Sequence, residues 1–209
     1  MSRWAFAATA FFLVLSGGGI IAARAQDEVS HLAPEEFAIL AWGHTPGDAD
    51  TLRELRACGF NLAGFVAPEH LDAVAAAGLK CIVSTRETHV SDAAASLDDA
   101  AIQPRVAALT ERVAGHPAVF GYYLRDEPSA ALYPGLARWA AAFRRADPKH
   151  ASYINLFPNY ASPGQMGAAT YEEYVESFVT TVKPAFISYD HYALMDDGAL
   201  RDGYFQNLE

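Results

Sequence analysis

The segment Leu124-Arg125-Asp126-Glu127-Pro128 sets two carboxylates side by side between an apolar run and a proline. Paired acids at one strand end are what general acid–base chemistry needs, provided that their surroundings push their pKa values apart. A glutamate partly desolvated beside Asp126 is expected to titrate above an ordinary glutamate and to keep a proton to donate. Proline disfavours helical angles in the residue before it, so Glu127 is expected to stay extended and aim into the space above a sheet. Asp126 is then expected on the other side of the strand or in the loop. The competing reading is a helix start, with Asp126 and Glu127 at the positive end of the following helix.

Other reactive or hydrogen-bonding side chains stand where short apolar runs end. They are Trp42 and His44, Arg86 and Glu87, Asn155 and Asn159, and Asp190-His191-Tyr192. Each has a plainer alternative. Trp42 could pack in the core, Asn155 could be a turn residue, and His191 could be a satisfied structural histidine. Tyr122 and Tyr123 are neighbours in one run, so at most one of them faces the inside.

The runs themselves are Phe37–Trp42, Phe60–Val66, Leu79–Ser84, Val119–Leu124, Ser152–Phe157 and Phe186–Tyr189. Helical periodicity separates them: Ile102, Val106, Leu109 and Val113 in one stretch, Leu132, Leu136, Trp139 and Phe143 in another. Thr170 with Glu173 reads as a capping box, and Gly59, Gly78 and Gly115 follow three helices where a left-handed cap is wanted. Alternating strands and helices imply right-handed crossovers and a parallel sheet. An open doubly wound sheet would carry a Gly-rich first turn, but Trp42-Gly43-His44-Thr45-Pro46-Gly47 has no G-x-G-x-x-G pattern. Functional side chains at nearly every strand end instead fit an α/β (β/α)8 TIM barrel, whose ligand sits where the strand ends converge. About six βα units are present.

Residues 1–25 read as a signal peptide. Arg3 precedes the apolar run Trp4 to Leu15, and Ala23-Arg24-Ala25 forms an A-x-A site, with no acidic residue before Asp27. The alternative is an uncleaved anchor, although three glycines interrupt the segment. Residues 26–36 form a lead-in and 37–209 the partial barrel. The chain has 209 residues, 52% of them hydrophobic, and a formal net charge of −10. That apolar content excludes an acidic disordered tail, and the absence of basic excess argues against a nucleic-acid partner. Export would put Cys58 and Cys81, expected near the same end of neighbouring strands, in a compartment that allows a disulfide; two free thiols are the alternative.

Phe120–Pro128, Tyr153–Pro158 and Ile187–Tyr192 together resemble exported (β/α)8 glycoside hydrolases of the large retaining clan, and within it the group similar to bacterial β-galactosidases. The resemblance implies that Glu127, at the end of the fourth strand, is the catalytic acid/base of O-glycoside hydrolysis. Asp126 stands where the clan usually has an Asn that bonds the sugar 2-hydroxyl, and a carboxylate can still accept from that hydroxyl. Asp126, Asn155, Asp190, His191, Tyr192, Trp42 and His44 become substrate-binding candidates, with Trp42 able to stack on a pyranose ring. Asp190 could also lie across the bowl from Glu127 at the wider spacing of inverting enzymes. The nucleophile of the clan ends a seventh strand, and a full barrel takes about 250 residues. The chain is therefore expected to be an N-terminal fragment, inactive by itself. The resemblance implies a glycan partner, no cofactor or metal, and a secreted or periplasmic location with no membrane contact after signal cleavage. Two alternatives are a non-catalytic carbohydrate-binding barrel and a metal-dependent barrel hydrolase built on His44, His191 and Asp190.

Overall fold

A computed structural model describes residues 37–203 and 205. The signal-peptide and lead-in segments lie outside the described residues. Strands and helices alternate as the periodicity requires. Helix α1 (Ala49–Ala57) leads to β1 (Leu62–Val66), α2 (Leu71–Ala76) to β2 (Lys80–Val83), and α3 (Asp92–Ala95) and α4 (Asp99–Val113) to β3 (Val119–Asp126). Helix α5 (Tyr133–Ala146) leads to β4 (Ala151–Leu156), and α6 (Pro163–Met166) and α7 (Tyr171–Val182) to β5 (Ser188–Tyr189). The strands pair in parallel in the order β1-β2-β3-β4-β5. Sequential parallel order with helical crossovers is the arrangement of a (β/α)8 barrel, and the described chain forms a half-barrel of that class.

The first expected strand is reduced. Residues 39–43 run beside β1, with Ala41 N–H donating to Leu62 O and Phe65 N–H to Gly43 O, but only Leu40 and Leu62 make a bridge. Gly64 explains the close fit. A Cβ there would sit 2.0 Å from Gly43 O and 2.3 Å from Ala41 O, while its N–H is held by Thr45 Oγ1 at 2.9 Å. Gly64→Ala is therefore expected to push residues 41–43 off β1 and to destabilise the fold by about 1–3 kcal/mol, as overpacking does. Hydrogen exchange at the Ala41 and Phe65 amides checks this; unchanged protection would overturn it.

The helices bury the faces that periodicity assigned. Ile102, Val106, Leu109 and Val113 of α4 are buried, as are Leu136, Trp139 and Phe143 of α5. Between these helices and the sheet lie Val66, Cys81, Val83, Tyr122, Leu124, Ile154 and Leu156. Tyr122 donates to the buried Asp147, which also bonds His150 Nδ1 and the Lys149 N–H, so a polar knot is fully partnered behind the sheet. Gly59 and Gly78 take left-handed caps and Gly115 does not. Thr170 caps α7 through the Glu173 N–H, but Glu173 reaches back to the Ala169 N–H, so the reciprocal box is absent there; Ser162 and Gln165 form one at α6. Both cysteines are free. Cys58 is exposed, and burial pushes the Cys81 thiol up to about 12, which leaves it inert at neutral pH.

Candidate active site

The carboxylates meet at the C-terminal ends of β3, β4 and β5. Asp126 pairs in register with Asn155, and Asn155 with Ser188. Strict alternation from Tyr123 would turn Arg125 inward and Asp126 outward. A register shift between Tyr123 and Arg125 reverses this. Arg125 leaves toward the helix layer, donating to Val90 O at 3.1 Å and to Asp92 Oδ1 at 2.9 Å. Asp126 turns to the face of Tyr123, Tyr153 and Asn155. The expectation that Asp126 points away from Glu127 is thus corrected, and the bulge is the reason.

Glu127 is not extended. Its φ is +42°, a left-handed conformation that costs a non-glycine residue about 1–3 kcal/mol and that proline after it does not favour. Three bonds hold it. Glu127 N–H donates to Asn155 O at 2.8 Å, the Tyr174 hydroxyl donates to Pro128 O at 2.7 Å, and that hydroxyl accepts from Phe157 N–H at 3.4 Å. Tyr174 is fully buried and reaches from α7 to the ends of β3 and β4. Sequence gave no signal for it, because the contact spans 46 residues.

Asn155 organises the acids. It lies in β4 and is 1% exposed, so it is not a turn residue. Its Nδ2 donates to Asp126 Oδ1 at 3.1 Å and to Asp190 Oδ1 at 2.8 Å. Its Oδ1 accepts from Ser188 Oγ at 2.7 Å, and Ser188 Oγ lies 2.9 Å from the Tyr153 hydroxyl. Sequence reasoning missed Ser188 and Tyr153. The signal was period two: each stands two residues before a singled-out group, Asp190 and Asn155, on the same strand face.

Electrostatics follow from the crowding. Glu127 is raised to about 7, first by desolvation, then by the Asp126 and Asp190 charges and by a side-chain hydrogen bond with Asp190. Asp126 is also raised by desolvation, which the Asn155 amide partly offsets. Asp126 and Asp190 are held together by the Asn155 amide, so both charges act on Glu127 from one cluster. Asp126 and Glu127 are thus both harder to ionise than ordinary acids, and near neutrality Glu127 holds a transferable proton.

The remaining candidates divide. Tyr192 is exposed, and its hydroxyl is 3.5 Å from Asp190 Oδ2, with the nearby carboxylates raising its pKa. Its backbone N–H donates to the Tyr160 hydroxyl, and His191 meets the Tyr160 ring edge-on at 5.4 Å. Trp42 is 48% exposed and packs edge-on against Phe65 at 4.9 Å, so it is half core and half open surface. Phe65 stacks toward Tyr123 at 4.1 Å, and Tyr153 lies 6.1 Å from Trp42 and 5.9 Å from Phe186. These rings floor the bowl below the acids. His44 bonds Phe65 O through Nδ1 at 3.0 Å. It does not join His191 and Asp190, and among the described residues no group of three His, Cys, Asp or Glu could hold a metal ion. Arg86 and Glu87 are exposed in the loop after β2. No helix among the described residues is long and apolar enough to cross a membrane.

No protein-family model and no curated protein matches the chain. Solved structures do. GH5_18 from Streptomyces cattleya in complex with Manβ1-4GlcNAc matches with 14% identity over 58% of this chain and 45% of its own, at a TM-score of 0.43. The Pseudomonas stutzeri endoglucanase in complex with cellobiose matches with 19% identity over 52% and 41%, at 0.40. The chain thus spans less than half the length of these two proteins. Plant β-glucan endohydrolases match with 14% identity over 80% of this chain and 61% of theirs, at 0.50. At 14% identity the likeness to the plant enzymes is one of fold alone, and it agrees with the strand order: the chain has the fold of part of an α/β (β/α)8 barrel.

Proposed function

We propose that the chain is the acid-bearing part of an exported glycoside hydrolase barrel, with Glu127 as the general acid/base. One observation carries this reading: a glutamate raised to about 7 stands at a strand's C-terminal end, the functional face of such barrels, beside two further carboxylates. Below that pH Glu127 is neutral and can give its proton to the oxygen of the departing sugar or aglycone. Asp126 and Asp190, fixed by Asn155, face the positive charge that develops on the sugar ring. Tyr192 and the open face of Trp42 offer a hydroxyl and a ring to a bound saccharide. The proposal gives Asp190 no nucleophilic role, because its carboxylate is held by the Asn155 amide as a fixed charge. The narrower likeness to bacterial β-galactosidase-like proteins and the secreted or periplasmic location rest on sequence motifs.

The sign of the pH dependence is fixed by the direction of the shift. Raising the pKa extends the neutral acid form upward, so kcat/KM on an unactivated glycoside is expected to hold below neutrality. It is expected to fall as pH rises through about 7, tenfold per unit beyond it. A pH–rate profile flat from pH 6 to 9 would overturn the assignment. The bonding of Asp126 and Asp190 to the Asn155 amide favours a second reading, a carbohydrate-binding barrel without turnover. Calorimetry with oligosaccharides showing binding but no hydrolysis would select it.

A further inference from the structure

Asn155 has one carbonyl and one NH2 group, and the buried network uses all of them in a single sense. The two carboxylates take both N–H bonds. The carbonyl therefore needs a donor, which is Ser188 Oγ. Once Ser188 has spent its only proton there, its oxygen can only accept, and the Tyr153 hydroxyl 2.9 Å away is the donor. The relay runs one way: Tyr153 to Ser188, Ser188 to Asn155, Asn155 to Asp126 and Asp190. Its members are held in place. Tyr153 and Asn155 are buried, and Asn155 and Ser188 are register partners on adjacent strands.

We propose that Tyr153 and Ser188 are positioning residues, which lock the Asn155 amide with its NH2 toward Asp126 and Asp190 and so set the hydrogen-bonding field around Glu127. The inference rests on the reading of Glu127 as the acid. Without the Ser188 hydroxyl, the Asn155 carbonyl would be buried with no donor, and the bond that fixes the amide's orientation from that side is lost, so the amide is free to turn. A flipped amide presents oxygen to two carboxylates. One of them must then take up a proton, and Glu127, facing one negative charge fewer, gives its own up. The other groups around Glu127 are Tyr174 from α7 and Tyr192 after β5. Those around Asp126 are Tyr123 and Arg125, the latter turned toward Asp92. None of them can replace the amide as a donor to both aspartates at once.

The test is carboxyl titration of the full-length protein by carbon NMR with labelled Asp and Glu, using Glu127→Gln to identify the Glu127 signal. In the unaltered protein Glu127 is expected to titrate near 7. In Ser188→Ala its midpoint is expected to fall by about one pH unit or more, with an aspartate signal moving up in its place. Tyr153→Phe, which keeps the ring, should shift it the same way by less, and Ser188→Thr, which keeps the hydroxyl, should restore it. A packing role alone would lower the melting temperature and leave these midpoints in place. An unmoved Glu127 midpoint in folded Ser188→Ala, or in Tyr153→Phe should the alanine variant not fold, overturns the proposal. Shifted midpoints in a protein that hydrolyses no glycoside would uphold the relay and overturn the hydrolase reading.

Discussion

Glu127→Gln is expected to lower kcat on glycosides with poor leaving groups by about 10²–10⁴-fold, the contribution of a positioned acid. The substitution keeps the volume of the side chain. It also keeps a hydrogen-bond donor among the neighbouring carboxylates, since an amide N–H can stand in for the carboxyl O–H. What it removes is the transferable proton. Substrates whose leaving group departs as a stable anion need no protonation at that step, so their cleavage should fall far less. That contrast between substrates separates loss of acid catalysis from loss of binding or folding. A neutral Gln also repels Asp126 and Asp190 less than an ionised Glu, so the melting temperature above pH 7 should hold or rise. Full activity of the variant on an unactivated glycoside would remove Glu127 from the chemistry.

Much of this site was legible in the sequence, and the misses have a common cause. The strand–helix alternation and the buried faces of α4 and α5 are set by local periodicity, and the structure has both. The acids converge because βα units in sequential parallel order bring every strand end to one side, which topology alone implies. The orientations of Asp126 and Glu127 were not legible. Alternation and the proline rule are local averages, and here a bulge and a left-handed residue override both. They do so through partners 28 to 46 positions away in the chain: Asp92 for Arg125, Asn155 for Glu127, Tyr174 for Pro128. Ser188 and Tyr153 lay in between. Their strand face could be counted from neighbouring residues, but their use as donors depends on register between strands that sequence does not specify.

The long-range support of Asp126 leads to the second large effect, at a residue remote from the acids. Trp139 is 0% exposed, the largest of the fully buried side chains, and its indole N–H donates to Ala94 O at 3.0 Å. It ties α5 to α3. Around it, Gly135 lets the two helices approach so closely that a Cβ would lie 2.3 Å from Ala95 O, and Arg138 donates to Ala95 O and Leu97 O. Helix α3 begins at Asp92, the partner of Arg125, and follows Val90, whose N–H donates to Leu124 O and whose carbonyl accepts from Arg125. The bulge that turns Asp126 inward is thus braced by a short helix, and that helix is braced by Trp139. Trp139→Ala is expected to cost about 3–5 kcal/mol through lost burial and the cavity left behind. Set against the about 5–15 kcal/mol of a typical domain, that loss should bring the fold close to its stability threshold. Trp139→Phe, which fills most of the space but leaves Ala94 O without its donor, should cost less. Denaturant unfolding of the three proteins measures both differences. A Trp139→Ala loss below about 1 kcal/mol would mean that α3 docks without the indole, and that the brace behind Asp126 rests on Gly135 and Arg138 instead.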